Sequence, residues 1–545
     1  MKKKIFALLL VVLMLVPFIV ACGGNDTNTD SNTNTNTNTE SNTPTDSSKP
    51  SDTGAGDTTT VEKVDTKTDK SQKWSGKTLD VLASGWGQDA AGEDPTYGGY
   101  NTHAWSQPEL YVREQNAMLD IKMGVTINKA VWARQLKIKE VYGVTLKWHR
   151  AGSNSSMQNE MQTGLEAGAA KFHIAIPRAY EAQSLIAADT VYDLANSKYI
   201  DLTKSYYNQA AVDSFSVYGH TFYVAGDFSY LDEYTAFVIF YNQAVSESIP
   251  TFPNLYNKVE NGTWTISELA KWGQLVGKDD DGTSGYQDTD TYGFGTTALS
   301  TFFQSSGIQQ VSVDKSSGNK DTYKYHITLN DANVPALVNE LVNIKTSNWA
   351  RTAWDGGYGA MLTSFKNGKL LFYQEVTQKI FEFPAQSETF KVAVLPMPKL
   401  NQDQENYAAP FASQATVMCV PKCTTDREMS EYFFDVLSWT GQDYVMKAYY
   451  QSMLSKLYDD GETSREDAYE ILTQYVYPNL SYDQGYIHEA MGAKFMTGVQ
   501  SDTITNATPS SSPFMTYYTE SFNDAKDKLD NEKTGWNTYA KNYKD

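Results

Sequence analysis

Apolar positions along this chain recur with two alternating periods, two residues and three to four. Thr78-Leu79-Asp80-Val81-Leu82-Ala83 is a β-type run that ends in the turn-rich Ser84-Gly85-Trp86-Gly87-Gln88. From Ala130 to Val141 the spacing becomes helical through Val131, Leu136, Ile138 and Val141, stops at Gly143, and yields to the strand Val144-Thr145-Leu146-Lys147-Trp148. Met157 to Ala169 is helical, and Phe172-His173-Ile174-Ala175-Ile176 is a third strand, broken by Pro177. Later strands are predicted at Ala236–Asn242, Lys391–Pro396 and Ala415–Val420. Thr265, with Glu268 three residues on, has the spacing of a capping box opening a helix. Met429 to Trp439 is helical and is expected to pack through Tyr432, Phe433, Val436 and Leu437. Strands separated by helices of this length predict an α/β fold with mostly parallel sheets. In such sheets ligands bind beyond the carboxyl ends of the strands, which points first to the loops 84–88 and 177–180.

The N-terminal region follows neither period. Lys2, Lys3 and Lys4 precede an apolar run from Ile5 to Val20, and Ala21 and Cys22 follow it. The order basic, apolar, small residue is that of a secretory signal. The run is about 16 residues long, short of the roughly 20 that span a bilayer. With a cysteine after the small residue it resembles a bacterial lipoprotein signal, which implies lipidation of Cys22; an ordinary signal or anchor with a chance cysteine is the alternative. Residues 23–73 are Asn, Thr, Ser, Asp and Gly with few apolar positions, a composition expected to stay disordered and act as a polar tether. The expected location is therefore extracellular, lipid-anchored to the cell membrane.

Composition narrows the partners. A net charge of −20 argues against a nucleic-acid partner. The folded part, roughly 470 residues, exceeds what one core supports, so two or more lobes are expected. Beyond Cys22 only Cys419 and Cys423 remain, as a small local disulfide or two buried thiols. The 36 Tyr, 23 Phe and 11 Trp give rings with polar edges, compatible with sugar ligands as well as with ordinary core filling.

Several short stretches then resemble one family in order. Ile127-Asn128-Lys129-Ala130-Val131-Trp132-Ala133-Arg134 precedes Glu140-Val141-Tyr142-Gly143-Val144; Val191-Tyr192-Asp193-Leu194 leads to Ile200-Asp201-Leu202; Tyr206-Tyr207-Asn208-Gln209 follows. Phe240-Tyr241-Asn242, Gly262-Thr263-Trp264-Thr265, Phe365-Lys366-Asn367-Gly368-Lys369 and Leu395-Pro396-Met397-Pro398 complete the series. Together they resemble the extracellular solute-binding lipoproteins of ABC transporters, family 1, carbohydrate type, in a clostridial-like branch related to maltose-binding proteins. The resemblance implies a periplasmic-binding-protein-like type II fold, two α/β lobes joined by a hinge that closes on its ligand. Lobe 1 would take residues 74–226 and 409–455, lobe 2 residues 227–408, and 456–545 would form helices packed on both. Gly226-Asp227 and Ala409-Pro410 are the hinge candidates, or ordinary turns. The implied function is capture of a sugar for a membrane permease, by a monomer without a cofactor. A surface glycoside hydrolase, or a binder of peptides or other solutes, stays open.

Seven residues are candidates for ligand contact. Trp86 stacks on a sugar or covers a sheet edge. Arg178 and Tyr180 follow the third strand, where a guanidinium offers forked donors or makes a surface ion pair. Asp232 and Glu233 lie before the strand entering lobe 2, where one carboxylate could accept sugar hydroxyls. Tyr373 and Glu375 follow the Phe365–Lys369 motif, where the family carries an aromatic contact. Phe302 and Phe303 are expected as core, and Trp354–Tyr358 is either a lid or a surface turn. Asp279, Asp280, Asp281, Asp288 and Asp290 suggest a calcium loop, but Thr283 and Ser284 break its pattern, so no metal is expected. No nucleophile elbow, zinc motif or phosphate loop is present, and no catalytic residue is assigned.

Overall fold

The computed structural model describes residues 62–84, 124–151, 154–168 and 172–541, the last without 248, 284, 286, 330–331, 353–357, 385–386, 388–389, 411, 413–414, 458–463, 489–498, 501 and 509–510. Strands β1 (Thr78–Ser84), β2 (Thr145–Ala151) and β3 (Ile174–Ile176) form the first sheet, in the order β2-β1-β3 and all parallel. The helix Gly124–Tyr142 joins β1 to β2 and buries Val131 and Ile138, as its periodicity predicts. Gly143 ends it at φ +67°, where an added Cβ would meet the Ser75 side chain at 2.2 Å, so only glycine fits.

The predicted strand Ala415–Val420 is not a continuous ladder. It makes single bridges, Ala175 with Cys419 and Arg178 with Thr416 on one side, Val224 with Met418 on the other. Cys419 and Ala175 exchange bonds of 2.9 and 3.0 Å. Beyond these, Val191 bridges Pro421, with Tyr192 N donating to Val420 O at 2.9 Å and Lys422 N to Thr190 O at 2.8 Å. The segment nonetheless widens the first sheet, so that sheet is built from two distant visits of the chain. A small hairpin, β4 (Ser216–Val217) and β5 (His220–Thr221), precedes the crossing to the second lobe.

The second sheet has the order β10-β7-β11-β6-β12. Its strands are β6 (Phe237–Asn242), β7 (Tyr292–Thr296), β10 (Ala350–Thr352), β11 (Leu370–Val376) and β12 (Val392–Pro396), and the hairpin β8 (Val311–Asp314) and β9 (Lys324–Ile327) projects beside it. β7, β10 and β11 run parallel, whereas β6 is antiparallel to both neighbours. Thr265 caps the helix Ile266–Val276 by accepting from Glu268 N at 3.3 Å, and the Glu268 carboxylate takes the Trp272 indole N–H at 3.0 Å. Phe302 and Phe303 are core. The chain passes between the sheets through 225–236 and again through 397–415, and Ala412 N donates to Thr235 O across the two crossings. The architecture is thus two α/β lobes with paired crossovers, as the sequence implies. β13 (Ala409–Pro410), in the second crossing, pairs with β14 (Leu480–Ser481).

The polar segment 62–73, expected as tether, is instead strapped onto the first lobe. Thr66 is fully buried; its hydroxyl donates to Asp435 at 2.7 Å and receives Trp439 Nε1 at 3.1 Å. Tyr142 OH donates to Thr66 O, and Ser71 N donates to Tyr432 OH. Composition alone misses this docking because the partners are distant in sequence, Tyr142 by 76 residues and Tyr432, Asp435 and Trp439 by more than 350. Cys22 lies outside the described residues. Cys419 and Cys423 are two free, buried thiols, and burial pushes the Cys419 thiol up. Among the described residues no helix is long and apolar enough to cross a membrane.

Candidate functional site

Buried polar chemistry concentrates at the crossovers. The one-turn helix Leu231–Tyr234 sits just before β6 and carries Asp232 and Glu233, both buried. The end of β11 pins it: the Thr377 hydroxyl donates to Glu233 O, and Thr377 N donates to Ala236 O at 2.9 Å. Asp232 Oδ2 receives Tyr482 OH at 3.1 Å, and Asp232 Oδ1 receives Glu233 N at 3.3 Å. Glu233 Oε2 has no partner. Asp227, partly covered, receives Gln442 Nε2 at 2.7 Å.

Burial raises all three carboxyls, and the Asp232 charge raises the other two further. Burial, then the nearby Asp232 charge, holds Asp227 up at about 7. Burial keeps Asp232 above the usual carboxylate range. Burial, then Asp232, pushes Glu233 well above it. No lysine, arginine or histidine among the described residues pairs with any of the three. Tyrosines crowd the same place: Tyr230 stacks on Tyr449 at 5.0 Å, and Tyr234 meets both Tyr449 and Phe381 edge-on or tilted. Tyr449 and Tyr477 bring their hydroxyls to 3.4 Å of each other.

One stretch of the C-terminal region draws both lobes to this point. Leu480–Ser481 pairs with the second crossover, Tyr482 reaches Asp232, and Asp483 Oδ2 accepts from Gln310 N of the second lobe at 2.9 Å. Residues Gln484–Tyr486 pack on the helix Ala179–Ala187 of the first lobe. Around this stretch lie further buried polar atoms without partners: Gln183 Oε1, Gln484 Oε1, Thr416 Oγ1, and both amide ends of Gln310. A buried unpaired polar group costs roughly 1–3 kcal/mol, so a set of this size marks either bound solvent or a ligand position.

The sequence candidates distribute unevenly. Asp232 and Glu233 are at this site. Arg178 caps the helix Ala179–Ala187 and is buried, which removes the surface ion pair as its role. Tyr373 lies within β11, 1% exposed, its ring 5.4 Å from Phe365, and belongs to the core of the second lobe. Glu375, also buried, turns one oxygen to Val376 N at 2.9 Å. Trp86, the Tyr180 side chain and the loop 353–357 lie outside the described residues. Gln310, Gln442, Tyr449, Tyr477, Tyr482 and Gln484 were not anticipated; the tyrosine density between 449 and 486 is the one trace of them in the sequence.

The acidic loop does not contribute. Oxygens of Asp279, Asp281 and Asp290 lie within 4.8 Å of one another. They are taken up locally, Asp281 by Thr283 N and the Thr289 hydroxyl, and Asp290 by Asp280 N.

No family model and no curated protein matches the chain. Among solved structures it is similar to UspC from Mycobacterium tuberculosis, with 11% identity over 83% of this chain and 100% of that one, at a TM-score of 0.49. It is similar to a cyclic α-maltosyl-1,6-maltose binding protein from Arthrobacter globiformis, with 15% identity over 85% and 99%, at 0.48. It is also similar to UgpB from Mycobacterium tuberculosis in complex with glycerophosphocholine, with 14% identity over 74% and 95%, at 0.48.

Proposed function

We propose that this chain is the extracellular solute-binding component of an ABC importer, capturing a carbohydrate between its two lobes and delivering it to a membrane permease. The observation that carries the reading is the set of buried, unpartnered polar atoms, Glu233 Oε2 foremost, carried by the first crossover, both lobes and the C-terminal stretch that joins them. Sugars present many hydroxyls beside apolar CH faces, and this site offers acceptors beside tyrosine rings. The ordered family-like motifs along the sequence support the same reading. The cysteine after the apolar leader supports lipid attachment through Cys22, which would keep the binder beside its permease.

Thermal unfolding with a panel of oligosaccharides tests this, since a ligand of the native state raises the midpoint. A shift with at least one sugar, recovered intact, is expected; a shift with peptides alone, or cleavage of the sugar, would sink the reading. Cys22→Ala should release or leave unprocessed the protein in cells with sugar affinity unchanged.

A further inference from the structure

The three carboxylates at the crossovers have a property that a site for neutral hydroxyls does not require. Burial raises Asp227, Asp232 and Glu233, the Asp232 charge raises the other two further, and among the described residues no cationic side chain pairs with them. Several acids elsewhere meet lysines or arginines, as Asp288 meets Arg351 at 2.8 Å and Glu431 meets Arg427 at 2.6 Å, and the buried Asp435 is satisfied by three hydroxyls. Here the surroundings are tyrosines too, but the donors do not suffice. Tyr482 donates to Asp232, Gln442 donates to Asp227, and Glu233, 7% exposed, keeps Oε2 without any donor. The rings of Tyr230, Tyr234 and Tyr449 pack together beside the short helix that carries Asp232 and Glu233.

Charge separates two kinds of ligand. A neutral hydroxyl donating to Glu233 satisfies one oxygen and leaves the cost of ionising the buried acids in place. A positive charge beside them favours their ionised forms, so its binding releases protons, and aromatic faces favour it further.

We propose that this site takes a carbohydrate bearing a basic nitrogen, such as an amino sugar or an oligosaccharide containing one, with its ammonium at Glu233 and Asp232. The proposal rests on the carbohydrate reading above and adds the charge. In it Glu233 Oε2 accepts one ammonium N–H, Asp232 accepts a second, and the tyrosine hydroxyls and faces close the rest of the shell.

Titration calorimetry on the full folded chain, with a glucosamine trimer, its fully N-acetylated counterpart, maltotriose and spermidine as probes, tests it. The glucosamine trimer is expected to bind at least about tenfold more tightly than either neutral trimer. Glu233→Gln, which keeps shape and removes charge, should abolish that preference, read as the ratio of charged to neutral trimer affinity; its melting curve checks folding. Repeating the titration in two buffers of different ionisation enthalpy should show protons released on binding the glucosamine trimer and none with maltotriose. Equal affinity for charged and neutral trimers, or a preference that survives Glu233→Gln, overturns the ammonium assignment and leaves the carbohydrate reading intact. Binding of spermidine with no response to any trimer overturns both.

Discussion

Two buried acids in this molecule sit among tyrosines and behave in opposite ways. Asp435, on the helix Arg427–Thr440, receives Tyr207 OH at 2.7 Å, Tyr206 OH at 2.9 Å and the Thr66 hydroxyl at 2.7 Å. Every donor around it is spoken for, and burial still raises its carboxyl despite those three bonds. Glu233 has comparable burial and comparable aromatic neighbours, but one oxygen is left over. The first acid is a fastening between the N-terminal strap and the first lobe. The second keeps an unbonded oxygen, and natural interiors rarely keep such groups without a use. The difference teaches that burial alone does not mark a functional acid; incomplete hydrogen bonding does.

That contrast can be broken by substitution. Asp435→Ala should destabilise the protein by about 3–5 kcal/mol, because three buried hydroxyls lose one acceptor; urea unfolding measures it, and a loss below about 1 kcal/mol would dissolve the distinction. The next effect is on pH. Asp227, held at about 7 by burial and Asp232, keeps a proton that the unfolded chain releases near pH 4. The folded pKa lies above the unfolded one, so stability should fall as pH rises from about 4 to about 7. Asp232 and Glu233 shift in the same sense and steepen the fall. Asp227→Asn should flatten the slope of unfolding midpoint against pH across that window; an unchanged slope would place the titration elsewhere. Thr66→Val, which unties the strap at one point, should cost about 1–2 kcal/mol and leave ligand affinity alone. Smallest of all, Glu233→Gln should alter stability by less than about 1 kcal/mol, since the carboxylate it removes is not holding anything.

Legibility followed the range over which each signal acts. β1, β2, β6 and β12, and the helices 124–142 and 427–440, could be read from local periodicity because burial of a face repeats every two or three to four residues. Ala415–Val420 has the right residues for a strand, but it meets its partners at separate points, residues 175, 178 and 224, and so forms single bridges. The end of the tether was misplaced because Thr66 has the composition of a linker, and only the distant Asp435 and Trp439 make it core. At the site, Asp232 and Glu233 were legible from their position before β6. Tyr482 was not, because nothing in a sequence brings a tyrosine 250 residues away to an aspartate. Tyr373 shows the converse: a motif-based position places the residue in the right lobe, and packing turns its ring into the core.

The helix that bears Asp435 continues beyond it through a π-type turn, Gly441–Met446, into Lys447–Leu454. At Gly441 the backbone comes so close to the first crossover that an added Cβ would stand 1.9 Å from Asp227 O. Tyr449 then stacks under Tyr230 one step further along. A helix of this length, about 40 Å end to end, is stiff. One rod therefore grips the strap with its first half and touches the acid trio with its second, and residue 441 is its fulcrum. Any side chain there would have to tilt the rod or displace Asp227, and would be felt at both ends.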